Sequence, residues 1–148
     1  MTIGDLIAPE RIIVGLRVGD KAQLLRELSE RAGAALRLVP PVILGALQKR
    51  EDLGSTGLGK GFALPHARIE RLSNRFVSFA RLARPIEYSA IDGRRVDLVV
   101  LLLTPANAGN EHLAVLSALS RPLRDQDLLQ RLRQAADAQE VHQLIARA

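Results

Sequence analysis

The 148-residue chain contains no cysteine and no tryptophan. The first absence excludes disulfides, thiolate nucleophiles, iron–sulfur clusters and cysteine-held zinc. Three histidines are then the scarce chemical resource near neutral pH. Aromatic residues are limited to Phe62, Phe76, Phe79 and Tyr88, which leaves little material for base stacking. Basic residues outnumber acidic ones 21 to 16, for a net charge of +5, but they are spread from Arg11 to Arg147 without a dense block. No nucleic-acid partner is expected from that pattern. Long apolar runs are missing too: the strongest, residues 96–103, is interrupted by Asp97 and falls well short of the roughly 18 residues a membrane span needs. The opening Met1-Thr-Ile-Gly-Asp5 has neither the basic nor the apolar region of a secretory leader, so a cytoplasmic location without membrane insertion is expected.

What is present reads as one globular domain over residues 1–148, since apolar residues make up 47% and charged ones 25% of the chain, values at which a core of ordinary size forms. Asp20 with Gln23 three residues on resembles a capping box, and Leu24, Leu25, Leu28, Ala32 and Leu36 then recur at helical spacing. A second helix begins at Pro40-Pro41, where proline suits the first turn, carries Ile43, Leu47 and Arg50 on one face, and stops at Gly54. Strands are expected over residues 11–16, 62–64 and 76–82, the last two separated by a charged loop containing Arg68 and Arg71. Residues 96–103 suit a central strand covered on both faces. Asn110 is placed as the cap of a helix carrying His112, Val115, Leu116, Leu119 and Leu123 on one side, disturbed near Pro122. Two more helices are expected over residues 128–136 and 140–146. Strands interleaved with helices predict an α/β domain with a mixed β-sheet flanked by helices on both faces.

The segment Gly54-Ser-Thr-Gly57-Leu-Gly59-Lys60-Gly61 comes close to a nucleotide-binding phosphate loop. It fails on two counts: Gly61 stands where a magnesium-binding hydroxyl is needed, and the loop leads from a helix into a strand, the reverse of the nucleotide arrangement. Its glycines, Gly57 and Gly59 among them, with Ser55 and Thr56, still offer backbone N–H groups and hydroxyls to an oxyanion. Directly after it, Leu64-Pro65-His66 holds an imidazole behind a rigid proline. A neutral imidazole is a competent nucleophile toward phosphorus, giving a phosphohistidine.

The stretch Arg50-Glu51, Ser55-Thr-Gly-Leu-Gly59, Gly61 and Ala63-Leu-Pro-His66 resembles the signature of the type 2 IIA proteins of the bacterial phosphotransferase system, the mannitol/fructose class, and the later motifs Pro85-Ile86, Ala90-Ile-Asp92, Val96-Asp-Leu98, Leu102-Leu-Thr-Pro105 and His112-Leu113 are similar to its nitrogen-regulatory branch. The resemblance covers essentially the whole chain; Ala67 stands where the family often has glycine. It implies a mixed-sheet α/β fold, a phosphoryl group received on His66 from a histidine phosphocarrier protein, and supporting roles for Arg50 and His112. Those roles are chemically sensible. Arg50 can grip phosphoryl oxygens in bidentate fashion, and His112 lies in the first turn of its helix, where unpaired N–H groups favour an anion.

The function expected is that of a phosphoryl carrier and regulator, signalling to protein targets through its phosphorylation state and calling for no metal or cofactor. Two other readings stand beside it: a free-standing IIA component passing phosphate to a separate sugar-specific IIB protein, and a binding module that keeps the fold without using its histidine. His142, beside Val141 and Leu144, reads as structural. For docking of the phosphocarrier, the apolar Leu58 and Phe62 rimmed by Lys60 and Arg68 are the expected contacts, supplying desolvation and charge steering.

Overall fold

A computed structural model describes residues 1–148. A short helix, α1 (Ile3–Leu6), and a 3-10 turn (Pro9–Arg11) lead into strand β1 (Ile12–Leu16), followed by helices α2 (Lys21–Leu36) and α3 (Pro40–Asp52). Three short strands come next, β2 (Gly57–Gly59), β3 (Phe62–Ala63) and β4 (His66–Ile69), and then two long ones, β5 (Phe76–Ile86) and β6 (Val96–Pro105). Helix α4 (Asn110–Ser120), a 3-10 turn (Pro122–Arg124), α5 (Gln126–Gln134) and α6 (Ala138–Ala146) complete the chain. No helix is long and apolar enough to cross a membrane.

The strands form one six-stranded mixed sheet in the order β1-β5-β6-β3-β2, with β4 also paired to β6. β5 and β6 run antiparallel at the centre, β1 is parallel to β5, and both β3 and β4 are parallel to β6. The aliphatic run of β6 from Leu98 to Leu103 has a direct cause here. Val99, Leu101 and Leu103 face one core, against Leu24, Leu28, Ala32, Ile43 and Leu47 of α2 and α3. Leu98, Val100 and Leu102 face the other, against Val115, Leu119, Leu129, Leu132, Val141 and Ile145 of α4, α5 and α6. Covering each such side chain removes it from water for about 1.5 to 3 kcal/mol, and helices on both faces leave β6 no polar side to present. The mixed sheet with helices on both faces is the architecture the sequence predicts.

β3 and β4 behave as one strand interrupted at Leu64-Pro65. The Pro65 carbonyl accepts from Leu102 N at 3.0 Å, so the ladder continues through the break, while Leu64 N turns away to the Thr56 carbonyl at 3.0 Å. Phe62 and Leu64 consequently join the core under α4 to α6, and Ala63, Ala67 and Ile69 join the one under α2 and α3.

Several elements differ from expectation. Arg68 lies on β4, its neighbours Ala67 and Ile69 buried, and not in a loop; the alternation is hidden by the charges at Arg68 and Glu70. α4 is capped by Gly109, at φ 61°, and Asn110 is its first residue. β5 continues to Ile86 through an irregular register after Arg81. α5 and α6 start earlier than apolar periodicity suggests because Asp125 and Asp137 cap them, accepting from Asp127 N and Glu140 N. α1 and β2, at 4 and 3 residues, are too short to show a period.

Candidate functional site

The break at Leu64-Pro65 sets the first residue of β4, His66, on the sheet's upper rim between the end of α3 and the start of α4. Its ring is fixed from both sides. Nδ1 lies 2.8 Å from the Leu64 carbonyl, and Nε2 lies 3.1 Å from Arg50 Nε. A carbonyl only accepts and a guanidinium only donates, so Nδ1 carries the proton and Nε2 carries the lone pair. Burial holds the His66 pKa below its usual 6.5, and the Arg50 charge adds to that, against the Leu64 hydrogen bond, which raises it.

Arg50, half-buried in the last turn of α3, holds the Gly54 carbonyl through Nη1 at 2.8 Å while Nε reaches His66. The first turn of α4 supplies His112, whose ring centroid is 5.6 Å from that of His66 at 53°. His112 is only 6% exposed, and its Nδ1 is 2.6 Å from Thr104 Oγ1 at the end of β6. Burial, then the charge of Arg68, then that of His66 lower its pKa to about 4. The Arg68 guanidinium is itself anchored on the Gly109 carbonyl at 3.1 Å. Two neutral imidazoles and two guanidiniums therefore converge at one helix N-terminus, an arrangement suited to a multiply charged oxyanion bonded to Nε2.

The protein-family model for the EIIA 2 component of the phosphoenolpyruvate-dependent sugar phosphotransferase system matches residues 5–148. The chain belongs to that family. Within it, a nitrogen regulatory protein of Bradyrhizobium diazoefficiens is 43% identical over 146 residues, covering 99% of this chain and 95% of that protein. The nitrogen regulatory protein of Escherichia coli is 40% identical over 126 residues, or 84% of this chain and 77% of that one. Among solved structures, the nitrogen regulatory protein IIA-Ntr of Neisseria meningitidis superposes with a TM-score of 0.90 at 34% identity, covering 97% of this chain and 98% of that one. The EIIA fold and its nitrogen-regulatory branch, named above as a resemblance, are those of this chain.

In this EIIA chain the residues singled out from sequence do not all meet. His66, Arg50 and His112 converge; the glycine-rich loop does not open toward them. Ser55 Oγ donates to the Tyr88 carbonyl at 3.1 Å and accepts from Gly57 N at 3.0 Å. Thr56 is 2% exposed, its N–H donating to Glu51 Oε1 at 3.0 Å and its hydroxyl to Glu51 Oε2. Gly57 and Gly59 are buried strand residues paired with Ala63 and Phe62. Ser55, Thr56, Gly57 and Gly59 thus brace the EIIA site from beneath, their polar groups spent on the protein, and do not line an oxyanion pocket.

The residues expected to dock the carrier do not form one surface, although Leu58 is exposed. Phe62 is 2% exposed and belongs to the core. It pairs with Leu98 while His66 pairs with Leu102, so Leu58, Lys60 and Phe62 sit toward the other end of β6. Lys60 is also engaged, its Nζ donating to the Arg124 carbonyl at 3.0 Å and its N–H to Asp92 Oδ2 at 2.9 Å. Arg68 alone of that set is beside the histidines. Sequence reading missed Lys21, Tyr88 and Thr104, whose partners are brought to them only by the fold.

Proposed function

We propose that this chain is a phosphoryl carrier of a nitrogen-regulatory phosphotransferase system, with Nε2 of His66 as acceptor and a histidine phosphocarrier protein as donor. The observation that carries the reading is the double restraint on the His66 ring, which leaves the Nε2 lone pair as the nucleophile. In the transfer, that lone pair forms a new N–P bond as the N–P bond of the donor breaks, and the donor ring recovers its lone pair. The proton stays on Nδ1, hydrogen-bonded to the Leu64 carbonyl, throughout. Arg50 exchanges its contact with Nε2 for the phosphoryl oxygens, neutralising charge in a step that is mainly positioning. In the transfer we assign Thr104 as donor to Nδ1 of neutral His112, 2.6 Å away, which puts the remaining ring proton on Nε2, available to a phosphoryl oxygen.

Exposed apolar side chains flank this site: Leu53, three residues beyond Arg50 and 85% exposed, and Leu113, next to His112 and 62% exposed. With Lys49 and Arg68 around them, they form the docking face we assign to the carrier, apolar at the centre and basic at the rim. A phosphoryl group there adds negative charge and acceptor oxygens between these residues, and partners can read that change. Incubation with phosphoenolpyruvate, enzyme I and the cognate histidine carrier tests the reading by intact mass. The wild-type chain gains one phosphoryl group and His66→Ala gains none; full labelling of His66→Ala, or none of the wild type, refutes it.

A further inference from the structure

Beneath the site lies a buried polar network that none of the roles above uses. Glu51 follows Arg50 in the last turn of α3, and its side chain is only 7% exposed. Oε1 accepts from Lys21 Nζ at 2.8 Å and from Thr56 N at 3.0 Å. Oε2 accepts from the Thr56 hydroxyl and lies 3.4 Å from the Tyr88 hydroxyl. Tyr88, fully buried, lies 2.9 Å from Thr56 Oγ1 through its own hydroxyl. A placement that satisfies every group has Tyr88 donating to Thr56 and Thr56 to Glu51, with Lys21 supplying the countercharge. Lys21 is held in turn by the Tyr88 carbonyl at 3.3 Å and by the Tyr88 ring, 4.3 Å from its centroid.

This network connects to the histidine by backbone hydrogen bonds. Thr56 gives its N–H to Glu51 and its carbonyl to Leu64 N; Leu64 in turn gives its carbonyl to His66 Nδ1. Each bond sets the position of the next acceptor, so the Leu64 carbonyl sits where Glu51 places the loop. The same turn of α3 also carries Arg50, which meets the opposite side of the ring. One helix end thereby reaches both nitrogens of His66, directly at Nε2 and through Thr56 and Leu64 at Nδ1.

We propose that Glu51 is a positioning residue for His66, acting through Thr56 and Leu64 to keep the proton on Nδ1 and the lone pair on Nε2, with Lys21 and Tyr88 holding Glu51 in place. The assignment of ring geometry stands by itself; its consequence for transfer rests on the phosphoryl-carrier reading above. The measurement is the long-range proton–nitrogen correlation spectrum of the histidine rings, which distinguishes the two neutral tautomers. The variants are Glu51→Gln and, because a buried charge network can be intolerant of change, Thr56→Val with Thr56→Ser as its conservative partner.

Wild type and Thr56→Ser should show His66 in the single tautomer protonated at Nδ1. Glu51→Gln and Thr56→Val should show a mixture, and their transfer rates from the carrier should fall on the order of ten- to a hundredfold, as small misplacements of a reacting group do. Variants that are folded, less stable, and unchanged in His66 tautomer would overturn the proposal, since a purely structural network lowers stability without moving the ring proton. If the wild type shows the single tautomer and the variants the mixture, yet no chain accepts phosphate, the carrier reading falls and the positioning role stands.

Discussion

His66 and His112 share a site, and burial with a neighbouring arginine lowers the pKa of each, though the arginine differs. His66 is kept neutral by burial and by a guanidinium on its lone pair, whereas His112 is nearly enclosed and has Arg68 beside it. For His112 the folded pKa, about 4, lies below the 6.5 of an unperturbed imidazole. The unfolded chain therefore binds more protons between those values. Stability from this group is complete above pH 6.5 and is lost as the pH falls toward about 4. Urea unfolding measured from pH 7 down through that window should show a decline that His112→Asn makes shallower; an unchanged slope would mean that the ring is hydrated in the folded protein. His112→Ala should slow acceptance of the phosphoryl group by roughly 2 to 4 kcal/mol, as loss of a preorganised donor does, without removing the acceptor. The histidine and arginine of the site were legible in sequence because they sit in a compact motif. Lys21 and Tyr88 were not, since a lysine at a helix start and a tyrosine in a loop carry no sign of each other until the fold brings them together on Glu51.

At the scale of elements, the loop between α3 and β4 depends on two glycines for different reasons. A Cβ on Gly57 would stand 2.7 Å from Ala90 Cβ and 2.8 Å from Ala90 Cα, with backbone and no flexible side chain to yield. Gly61 combines φ +80° with a Cβ site 2.9 Å from Asp97 Oδ1, inside the Arg133–Asp97 ion pair. Gly57→Ala should lower stability by about 1 to 3 kcal/mol, the usual result of overpacking, and because Thr56 precedes it, the transfer rate should fall too. Thermal unfolding and a single-turnover transfer assay check both effects; an unaltered melting temperature would show that the β2 edge can move aside. Apolar periodicity revealed α2 and α3 because each buries a regular stripe, and a continuous aliphatic run revealed β6 because both its faces are covered. Periodicity hid β4, whose outward positions are taken by His66 and Arg68, the residues that serve the site.

Across the whole molecule, the net charge of +5 matters less than where its unpaired members lie. Arg133 is tied to Asp97, Arg75 to Glu111 and Arg95 to Glu87, while Lys49, one residue before Arg50, and Arg68, anchored at the start of α4, are among the basic residues without a carboxylate partner. Leu113→Asp should reduce kcat/KM for transfer from the carrier by at least about fivefold, the cost of about 1 kcal/mol of contact. The same transfer should weaken with rising ionic strength, and Arg68→Gln should flatten that dependence. Leu58→Asp, at the distant end of β6, should leave the rate unchanged. Stopped-flow transfer at several salt concentrations decides between the two ends of the sheet. The docking face we propose could not be read from the chain, because nearness in sequence to His66 favoured Leu58 and Phe62, whereas the fold sets Phe62 in the core and brings α4, with Leu113, beside His66.

The hydrogen bond from Arg50 to Nε2 makes the resting chain a guarded nucleophile. In the proposed transfer, the electron pair that attacks phosphorus is already engaged by the guanidinium, which leaves it only for something more negative. An anionic phosphoryl group supplies that inducement and an uncharged electrophile does not, so the arginine acts as a selectivity filter on what the imidazole will react with. Removing it should move two reactivities in opposite directions. Arg50→Ala should slow phosphoryl transfer and speed modification of His66 by diethylpyrocarbonate, each followed by intact mass; a parallel fall in both would mean that the arginine merely supports the ring.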